Sequence, residues 1–330
     1  MITNADTHTR TNSMQAISQD SLGGPDVLHP VERERPEPGV GQILLAVRAA
    51  GVNPTDIQHR GLGLFLGEPP FTLGWDVSGV VEAVGLGVSL FEPGDEVFGM
   101  LPYPNGAGAY AEYVTGPVRA FAPKPAALSH AEAAALPMVG LVAWQALVDT
   151  AEVRPGQRVL VLGAAGGIGH VAVQVAKARG AYVIGTASGD KCDLVRGLGA
   201  DEVIDYRTAD VAEEAHEIDV VLDVVGGKDR LRALETLRPG GVLVSSLPVE
   251  FEEVTARAAE LGVRATNLVV EHDRGAMAGL AALAAAGQLR PHIAATFPLA
   301  EAAQAHTLAE AGRSTGKLVL TVGPGTGSAS

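Results

Sequence analysis

The stretch that decides the fold reads RVLVLGAAGGIGHVAVQVAKAR and covers residues 158–179. An apolar run at residues 159–162 leads into a glycine-rich turn, and small apolar residues after the turn begin a helix. A strand, a glycine turn and a helix in this order open a dinucleotide-binding βαβ unit. A tight strand–helix turn in some other α/β protein is the alternative, because a glycine motif alone is weakly specific.

The turn matches the pattern G-x-G-x-x-G at two of its three glycine positions. These positions hold Ala164, Gly166 and Gly169, and Gly167 adds a further glycine. Gly166 would let the backbone approach a pyrophosphate, and Gly169 would let the helix pack closely on the strand. Free N–H groups at the start of the helix would favour the anion. We therefore predict that the cofactor contacts Ala164, Gly166, Gly167, Ile168 and Gly169.

Length, charge and cysteine content limit the classes of protein that fit. The 330 residues exceed one ordinary core, and 47% hydrophobic residues with 41 glycines fit a two-domain α/β protein. The net charge of −14 argues against nucleic acid or an anionic membrane surface as the main partner. The single cysteine, Cys192, excludes a zinc site built on several cysteines and fits a cytoplasmic location. No apolar run approaches the roughly 20 residues of a membrane helix.

Three patterns divide the chain. Residues 14–124 carry short apolar runs bounded by glycine and proline, which predicts an antiparallel barrel or sandwich. Residues 125–271 alternate strands and helices, which predicts a doubly wound parallel sheet. Residues 272–330 are expected to return to the first domain, and residues 1–13 to form a disordered extension. The six parallel strands are predicted at residues 158–163, 182–186, 202–205, 220–225, 242–247 and 265–270.

Five further motifs make the assignment much more specific than the glycine turn does. They are GVNPTD at residues 51–56, GWDVSG at 74–79, PGDEVFG at 93–99, DVVGG at 223–227 and GKLVLTV at 316–322. With these motifs the chain resembles the medium-chain dehydrogenase/reductases, in the zinc-independent quinone oxidoreductase branch, from about residue 15 to residue 322. The resemblance implies an α/β fold in which a GroES-like β-barrel catalytic domain accompanies a Rossmann doubly wound parallel sheet.

The resemblance also implies a site without metal. Zinc-dependent relatives carry a cysteine at the position of Asn53, and a histidine and a glutamate at the positions of Trp75 and Asp76. Without zinc as a Lewis acid, oxidation of an alcohol lacks its way of making an alkoxide, whereas hydride reduction of an electron-poor acceptor needs none. The resemblance thus points to quinones, or to the C=C bond of enones and enals.

Asn53 and Asp56 are the candidate catalytic residues. By resemblance, their loop faces the nicotinamide and the substrate, with Asn53 as a polar anchor in the cleft and Asp56 as the residue that orients the loop. Alternatively both residues only make a turn, since Asn and Asp favour turns for local reasons. Many relatives carry a tyrosine where Gln58 stands, so water is the expected proton source. Trp75 is expected either as an aromatic wall of the cleft or as core that fills the metal's space.

Backbone groups around Val225, Ser246 and Leu247 are expected to place the nicotinamide. This role comes from the resemblance alone. The alternative is that these residues belong only to the core at the ends of the fourth and fifth parallel strands.

The end of the second parallel strand decides between NADPH and NADH. An NAD enzyme usually has an acidic residue there for the ribose 2′-hydroxyl, but Thr186 holds that position. Ser188 and Lys191 can hold a 2′-phosphate instead, and Tyr206 lies near the same pocket by resemblance. Asp190 is the counter-argument, because its carboxylate is able to hold the ribose of NADH. We predict NADPH as the cofactor.

Together these observations predict an NADPH-dependent oxidoreductase that transfers hydride to a quinone or another conjugated carbonyl acceptor. One alternative is an enone or enal C=C reductase. The alternative outside enzymes is a nucleotide-binding redox sensor or a structural protein. By resemblance the protein is expected to be a homodimer whose partner is a small molecule, with no role for nucleic acid or membranes.

Overall fold

The computed structural model describes residues 12–249, 251–312 and 314–323. Of the predicted N-terminal extension, residues 1–11 lie outside the described residues. Asn12 and Ser13 correct that prediction, because both take part in the first sheet. Ser13 begins a strand, and the carbonyl of Asn12 accepts the backbone N–H of Arg35 at 2.8 Å.

Short antiparallel strands build the first part of the chain, as the turn-bounded apolar runs predict. Its elements are β1 (Ser13–Ser18), β2 (His29–Glu34), β3 (Gln42–Val52), helix α1 (Pro54–Leu62), β4 (Asp76–Val84), β5 (Glu96–Met100), β6 (Tyr113–Pro117) and β7 (Phe121–Pro123). β1 and β2 form a hairpin, whereas β3, β4, β5 and β7 are successive neighbours in a larger sheet. β6 pairs with the first half of β3.

Two helices lead from this sheet into the second part of the chain. They are α2 (His130–Ala134) and α3 (Pro137–Trp144), and a π-helical turn, Gln145–Thr150, continues α3. All but the last residue of α3 are buried, which fits an apolar connection that runs between two packed layers.

A six-stranded parallel sheet follows. Its elements are β8 (Arg158–Val161), α4 (Gly169–Ala178), β9 (Tyr182–Ala187), α5 (Cys192–Gly197), β10 (Glu202–Asp205), α6 (Val211–Glu214), β11 (Ile218–Asp223), α7 (Gly227–Leu234), β12 (Leu237–Ser245), α8 (Phe251–Leu261) and β13 (Arg264–Asn267). The strand order is β10-β9-β8-β11-β12-β13, and every pairing is parallel. The order reverses at β8, so the crevice between β8 and β11 is where such a sheet binds dinucleotides.

Among the strands of this sheet, β12 differs most from its predicted bounds, while β8, β9, β11 and β13 differ by up to three residues at an end. β12 begins at Leu237 rather than at residue 242, because Leu237 already pairs with Ile218 of β11. The register then shifts before Val242, and the Pro-Gly-Gly segment at residues 239–241 lies inside the strand as an irregularity instead of forming a loop.

The last part of the chain adds two strands to the first sheet. Its elements are α9 (Arg274–Ala285), β14 (Ile293–Pro298), α10 (Ala302–Glu310) and β15 (Lys317–Thr321). β15 pairs antiparallel with β3, and β14 pairs parallel with β15, which gives the sheet order β14-β15-β3-β4-β5-β7. Among the described residues, no helix is long and apolar enough to cross a membrane.

Candidate functional site

The glycine turn joins β8 to α4 at the carboxyl edge of the parallel sheet. The backbone N–H of Gly163 donates to the hydroxyl of Thr186 at 3.0 Å, and that of Ala164 donates to the carbonyl of Thr186 at 2.8 Å. A Cβ on Gly169 would lie 2.2 Å from the carbonyl oxygen of Gly163, so only glycine lets α4 approach this closely. Thr186, at the position usually acidic in NAD enzymes, therefore ties the turn to β9.

The remainder of the turn leaves room for an anion. A Cβ on Gly166 would lie 3.2 Å from its nearest neighbour, and one on Gly167 would have its nearest neighbours at 3.6 Å. The bare backbone and the N-terminus of α4 together fit the pyrophosphate of a dinucleotide. Ile168 is half-buried beside them, and Ala164 is fully buried, so only the backbone of Ala164 could take part in the predicted cofactor contact.

Three predicted cofactor residues lie together at the end of β9. Ser188 is buried, and its carbonyl accepts the backbone N–H of Lys191 at 2.7 Å in a 3₁₀ turn. The backbone N–H of Tyr206 donates to the carbonyl of Ala187 at 3.2 Å, which places the half-exposed tyrosine beside the same strand end.

Asp190, the residue that argues for NADH, has partners of its own. A hydrogen bond with the side chain of Ser188 lowers the pKa of Asp190, and the charge of Arg207 lowers it further. The Asp190 carboxylate lies 3.6 Å from the Arg207 guanidinium, and both side chains are exposed. The strand end therefore carries the carboxylates of Asp190 and Asp205, the latter 2.7 Å from the place of a Cβ on Gly189, together with the cationic residues Lys191 and Arg207.

The ends of β11 and β12 meet at the predicted nicotinamide end of the site. One carboxylate oxygen of Asp223 accepts the backbone N–H groups of Val225 at 3.0 Å and Gly226 at 2.8 Å. Its other oxygen accepts the Ser245 hydroxyl at 2.6 Å. Val225 is 48% exposed, which excludes the alternative that it is ordinary strand core. Ser246 and Leu247 are half-buried and follow β12 directly.

Arg230 holds these two strand ends together and was not among the predicted residues. Its side chain is buried and donates to the carbonyls of Leu247 at 3.0 Å and Val249 at 2.6 Å. It also lies 3.7 Å from the carboxylate of Asp223. One buried guanidinium thus spans the segments that precede and follow the predicted nicotinamide contacts.

The Asn53 loop is the start of a helix, which corrects the predicted turn. Asn53 is the N-cap of α1, Pro54 is its first residue, and Asp56 accepts the backbone N–H of Asn53 at 2.7 Å. Asparagine, proline and an acidic residue at these three positions are a standard helix start. The motif that suggested a turn therefore also has the residues that are typical of a helix start.

The side chain of Asn53 belongs to a buried network that includes Lys317. Its Nδ2 donates to Asp76 Oδ2 at 2.9 Å, and its Oδ1 accepts from Lys317 Nζ at 2.5 Å. Lys317 Nζ also donates to the carbonyl of Val52 at 2.9 Å and lies 3.5 Å from Asp76 Oδ2. Asp76 Oδ1 accepts the backbone N–H of Met138 at 2.7 Å. Asn53 is therefore an anchor whose polar groups are held by protein.

Asp56 is fully buried beside this network. Its Oδ1 accepts the backbone N–H of Gly74 at 3.0 Å. Burial raises the pKa of Asp56 to about 7, and the neighbouring charge of Asp76 contributes to the rise. The two backbone N–H groups that donate to Asp56 lower the pKa, but by less than burial raises it. The residue holds the start of α1 through the backbone of Asn53 and Gly74, and the hydroxyl of Tyr110 is hydrogen-bonded to the same carboxyl group.

Trp75 forms core instead of an open wall of the cleft. It is fully buried, and its ring centroid lies 4.8 Å from that of His59 and 5.4 Å from that of Tyr103. Thr55 Oγ1 donates to the hydroxyl of Tyr103 at 3.3 Å, and both residues are only half-buried. Beyond them, the ring of Phe65 lies 5.8 Å from that of His59 and is 63% exposed. The open aromatic surface near α1 therefore belongs to Tyr103 and Phe65.

A metal ion would need several donor side chains gathered at one place. Within the described part of the chain, no group of three or more histidine, cysteine, aspartate and glutamate side chains is arranged to hold a metal ion. Zinc-dependent relatives carry ligands at the positions of Asn53, Trp75 and Asp76. Here the side chains of Asn53 and Asp76 contact the Lys317 ammonium, and the ring of Trp75 packs against another ring.

Two family models match the chain. One is described as a zinc-binding dehydrogenase and matches residues 198–320, and the other is described as an alcohol dehydrogenase GroES-like domain and matches residues 39–126. The second match and the sheet orders above confirm the predicted fold class of a GroES-like domain with a Rossmann-type parallel sheet.

Known proteins resemble the chain over most of its length. Mouse mitochondrial NAD(P)H oxidoreductase RTN4IP1 is 37% identical over 324 residues, which cover 85% of this chain and 82% of that protein. A 2-haloacrylate reductase from a Burkholderia species is 36% identical, with 90% of this chain and 96% of that protein covered. The structure of Escherichia coli quinone oxidoreductase complexed with NADPH has a TM-score of 0.83 at 30% identity, with 93% of this chain and 99% of that chain covered.

Proposed function

Because this chain belongs to the medium-chain dehydrogenase/reductase family and is quinone oxidoreductase-like, we propose that it transfers hydride from NADPH to a quinone or another conjugated carbonyl acceptor without zinc. The observation that carries the proposal is that Gly316 and Lys317 link the dinucleotide turn to the Asn53 end of α1: the backbone N–H of Gly316 donates to the carbonyl of Ala165 at 3.0 Å, and the ammonium of Lys317 contacts Asn53. A Cβ on Gly167 would lie 3.6 Å from Cδ of Lys317. A cofactor on the turn and an acceptor at the loop would therefore be neighbours.

The chain's own groups would hold the cofactor at both ends. When bound, NADPH would supply the hydride, which carries both electrons of the reduction. Gly166 and Gly167 would let the pyrophosphate approach the backbone, and the N–H groups and dipole at the start of α4 would bind it, since the N–H of Gly166 itself donates to the carbonyl of Gly163 at 2.9 Å. Backbone groups at Val225, Ser246 and Leu247 would orient the nicotinamide, since Asp223 and Arg230 fix both strand ends that carry them.

The preference for NADPH rests on the end of β9. Lys191 would bring an ammonium to a 2′-phosphate, and Arg207 adds a second cation nearby; the Ser188 hydroxyl would exchange its bond with Asp190 for one with the phosphate. The pairing of Asp190 with Arg207 supports the same choice, because it reduces the repulsion between that carboxylate and a phosphate.

A flat conjugated acceptor fits the surface beside α1. Tyr103 and Phe65 present aromatic faces there, and Thr55 offers a hydroxyl at the edge of the same surface. Reduction adds one hydride and one proton to the acceptor. The carboxyl group of Asp56 is buried and already hydrogen-bonded to backbone, so we assign the proton to water.

The positive charge of Lys317 in the buried network supports a reaction that does not use zinc. The Lys317 ammonium lies among oxygen atoms of Val52, Asn53 and Asp76, close to the positions that hold zinc ligands in zinc-dependent relatives. A second cation at this place would be repelled by the first. Polarisation of the acceptor by a metal is therefore not part of the proposed reaction.

Reduction of an activated C=C bond is the second candidate function. The Burkholderia relative is named a 2-haloacrylate reductase, and acrylates carry a C=C bond conjugated to a carboxyl group. The same binding site would serve, because an enone and a quinone share a conjugated carbonyl group.

We also propose that the protein acts in the cytoplasm as a homodimer. Its one cysteine, Cys192, is free and buried, which fits a reducing compartment. In the described sheet, β13 is an edge strand, and Val269 after it is 60% exposed, so this edge is the proposed dimer contact. Light scattering at several protein concentrations tests the dimer, and a monomer at all of them would contradict it.

The consumption of NADPH with a panel of acceptors tests the proposed function. We expect turnover with 1,4-quinones, and faster turnover with enones or enals would favour the second candidate. Binding of NADPH without consumption by any acceptor would contradict both, and would favour a nucleotide-binding sensor or structural protein. Product analysis by mass spectrometry distinguishes a reduced C=C bond from a hydroquinone.

A further inference from the structure

Lys317 connects the two halves of the site through its backbone and its side chain. The backbone N–H of Gly316 donates to the carbonyl of Ala165 in the glycine turn at 3.0 Å. The backbone N–H of Lys317 donates to the carbonyl of His292 at 2.9 Å. These bonds fix the start of β15 against the turn, so the lysine stem runs from the nucleotide-binding turn toward α1.

Two hydrogen bonds and one ion pair hold the ammonium at the end of this stem inside the protein. It donates to Val52 and Asn53, and Asp76 provides the counter-charge at 3.5 Å. Lys317 is 2% exposed and Asp76 is fully buried. Buried charges persist only where they are paired and hydrogen-bonded, so this arrangement is specific to an ammonium at this position.

The same ammonium determines how the amide of Asn53 is oriented. An ammonium can only donate, so the atom that faces it must be Oδ1, and Nδ2 is then directed to Asp76. Asp76 in turn receives the backbone N–H of Met138 in α3. One cation therefore fixes an amide at the start of α1 and, through Asp76, the helix that connects the two sheets.

We propose that Lys317 is a positioning residue: its buried ammonium holds the Asn53 end of α1 at a fixed place relative to the glycine turn. For catalysis this inference rests on the proposed function, because it sets the distance between a cofactor on the turn and an acceptor at the loop. Loss of the ammonium would release Asn53 and leave the Asp76 carboxylate without its counter-charge. Hydride transfer would then slow, whereas the pyrophosphate contacts of the turn would remain.

Removal of the ammonium and its replacement by a free amine test the proposal. In Lys317→Ala, a displacement of about 1 Å would lower kcat by about 100-fold, with the KM for NADPH nearly unchanged. Propylammonium should restore much of the lost kcat and should raise the Tm of the variant without NADPH. It should leave wild type unchanged. Propanol, which has a similar size but no charge, should have neither effect.

Two outcomes would overturn the proposal. The first is a folded Lys317→Ala protein whose kcat equals that of wild type. The second is a variant whose Tm and kcat respond equally to propylammonium and propanol. The rise in Tm requires no turnover, so an inactive wild type would refute the proposed function while the Tm result still decides the role of Lys317.

A double variant covers the case in which Lys317→Ala does not fold. Lys317→Met with Asp76→Asn removes both charges together and so avoids an unpaired buried carboxylate. We expect this protein to fold and bind NADPH, with kcat still reduced by at least about 10-fold because Asn53 has lost its anchor. A double variant with the kcat of wild type would show that Lys317 serves only to neutralise Asp76.

Discussion

The carboxylate of Asp56 accepts the backbone N–H of Asn53 at 2.7 Å and closes the first turn of α1 with a fully buried acidic group. Burial raises the pKa of this group to about 7 from 3.8. A local contact at the start of one helix therefore makes the stability of the whole protein depend on pH.

Stability should fall as pH rises toward neutrality because of Asp56. Between about pH 4 and pH 7 the folded protein holds a proton on Asp56 that the unfolded chain has released, so this contribution is complete below pH 3.8 and lost above about pH 7. The slope reaches about 1.4 kcal/mol per pH unit. The substitution Asp56→Asn should remove this dependence of stability on pH.

Urea unfolding of both proteins at about pH 5 and about pH 7.5 measures the difference. The stability of wild type relative to Asp56→Asn should be greater at the lower pH. An equal difference at both pH values would mean that Asp56 titrates alike in the folded and unfolded chains.

Substitutions at two glycines of the turn should have different effects, one on NADPH binding and the other on stability. Gly166→Val should keep the fold, since a Cβ there needs only a small shift from a neighbour at 3.2 Å, but should abolish NADPH binding by filling the anion site. Gly169→Ala should lower the Tm, because its Cβ would overlap backbone atoms of Gly163 and Ala164 at 2.2 and 2.7 Å. Fluorescence titration and thermal unfolding separate the effects. Unchanged NADPH affinity in a folded Gly166→Val protein would place the cofactor elsewhere.

Lys191→Ala should weaken NADPH selectively. A charge-assisted hydrogen bond to the 2′-phosphate contributes about 1.5–3 kcal/mol, which corresponds to about a 10- to 150-fold change in affinity. NADH lacks that phosphate and should be nearly unaffected. Ser188→Ala should act in the same direction but more weakly, because a neutral donor contributes less.

Asp190→Ala is the matched variant for cofactor choice. If Asp190 held the ribose of NADH, its loss would harm NADH and spare NADPH. We expect instead that kcat/KM with NADH changes little. A wild-type preference for NADH, or equal losses for both cofactors in Lys191→Ala, would contradict the interpretation of this strand end.

Arg230→Met should destabilise the protein and weaken NADPH binding together. The change leaves buried Asp223 without its cation and removes two bonds to the segment after β12, at a cost of about 3–5 kcal/mol. Arg232, on the same helix but 41% exposed, is the control. Its replacement by Met should cost less than about 1 kcal/mol. Equal effects in urea unfolding and in the KM for NADPH would contradict the special role of Arg230.

The parallel sheet could be predicted because its signals are local. Most of its strands contain a short apolar run followed by turn residues, with β13 (Arg264–Asn267) as the exception, and the glycine turn after β8 has a pattern that few other structures need. β14 was missed, because Ile293–Pro298 is an edge strand with alternating burial and alanine at half-exposed or exposed positions. Its position depends on pairing with β15, which local sequence does not specify.

The candidate site was predicted in part for the same reason. Asn53 and Asp56 stand in one short motif, and the structure brings them together. Lys317 contacts Asn53 although the two residues lie 264 positions apart in the sequence. Arg230 donates to backbone carbonyls, which every residue has, so the type of the accepting residue does not indicate the contact. Contacts of either kind follow from the fold and were therefore not predicted from the motifs.

Activity after complete removal of metal tests the central claim most directly. The measurement is NADPH oxidation by a quinone or enone acceptor in protein whose zinc content has been determined before and after prolonged chelation. The account predicts the same kcat in both samples, with zinc far below one equivalent per chain. Activity that disappears with the zinc, and returns when one equivalent is added, would contradict it.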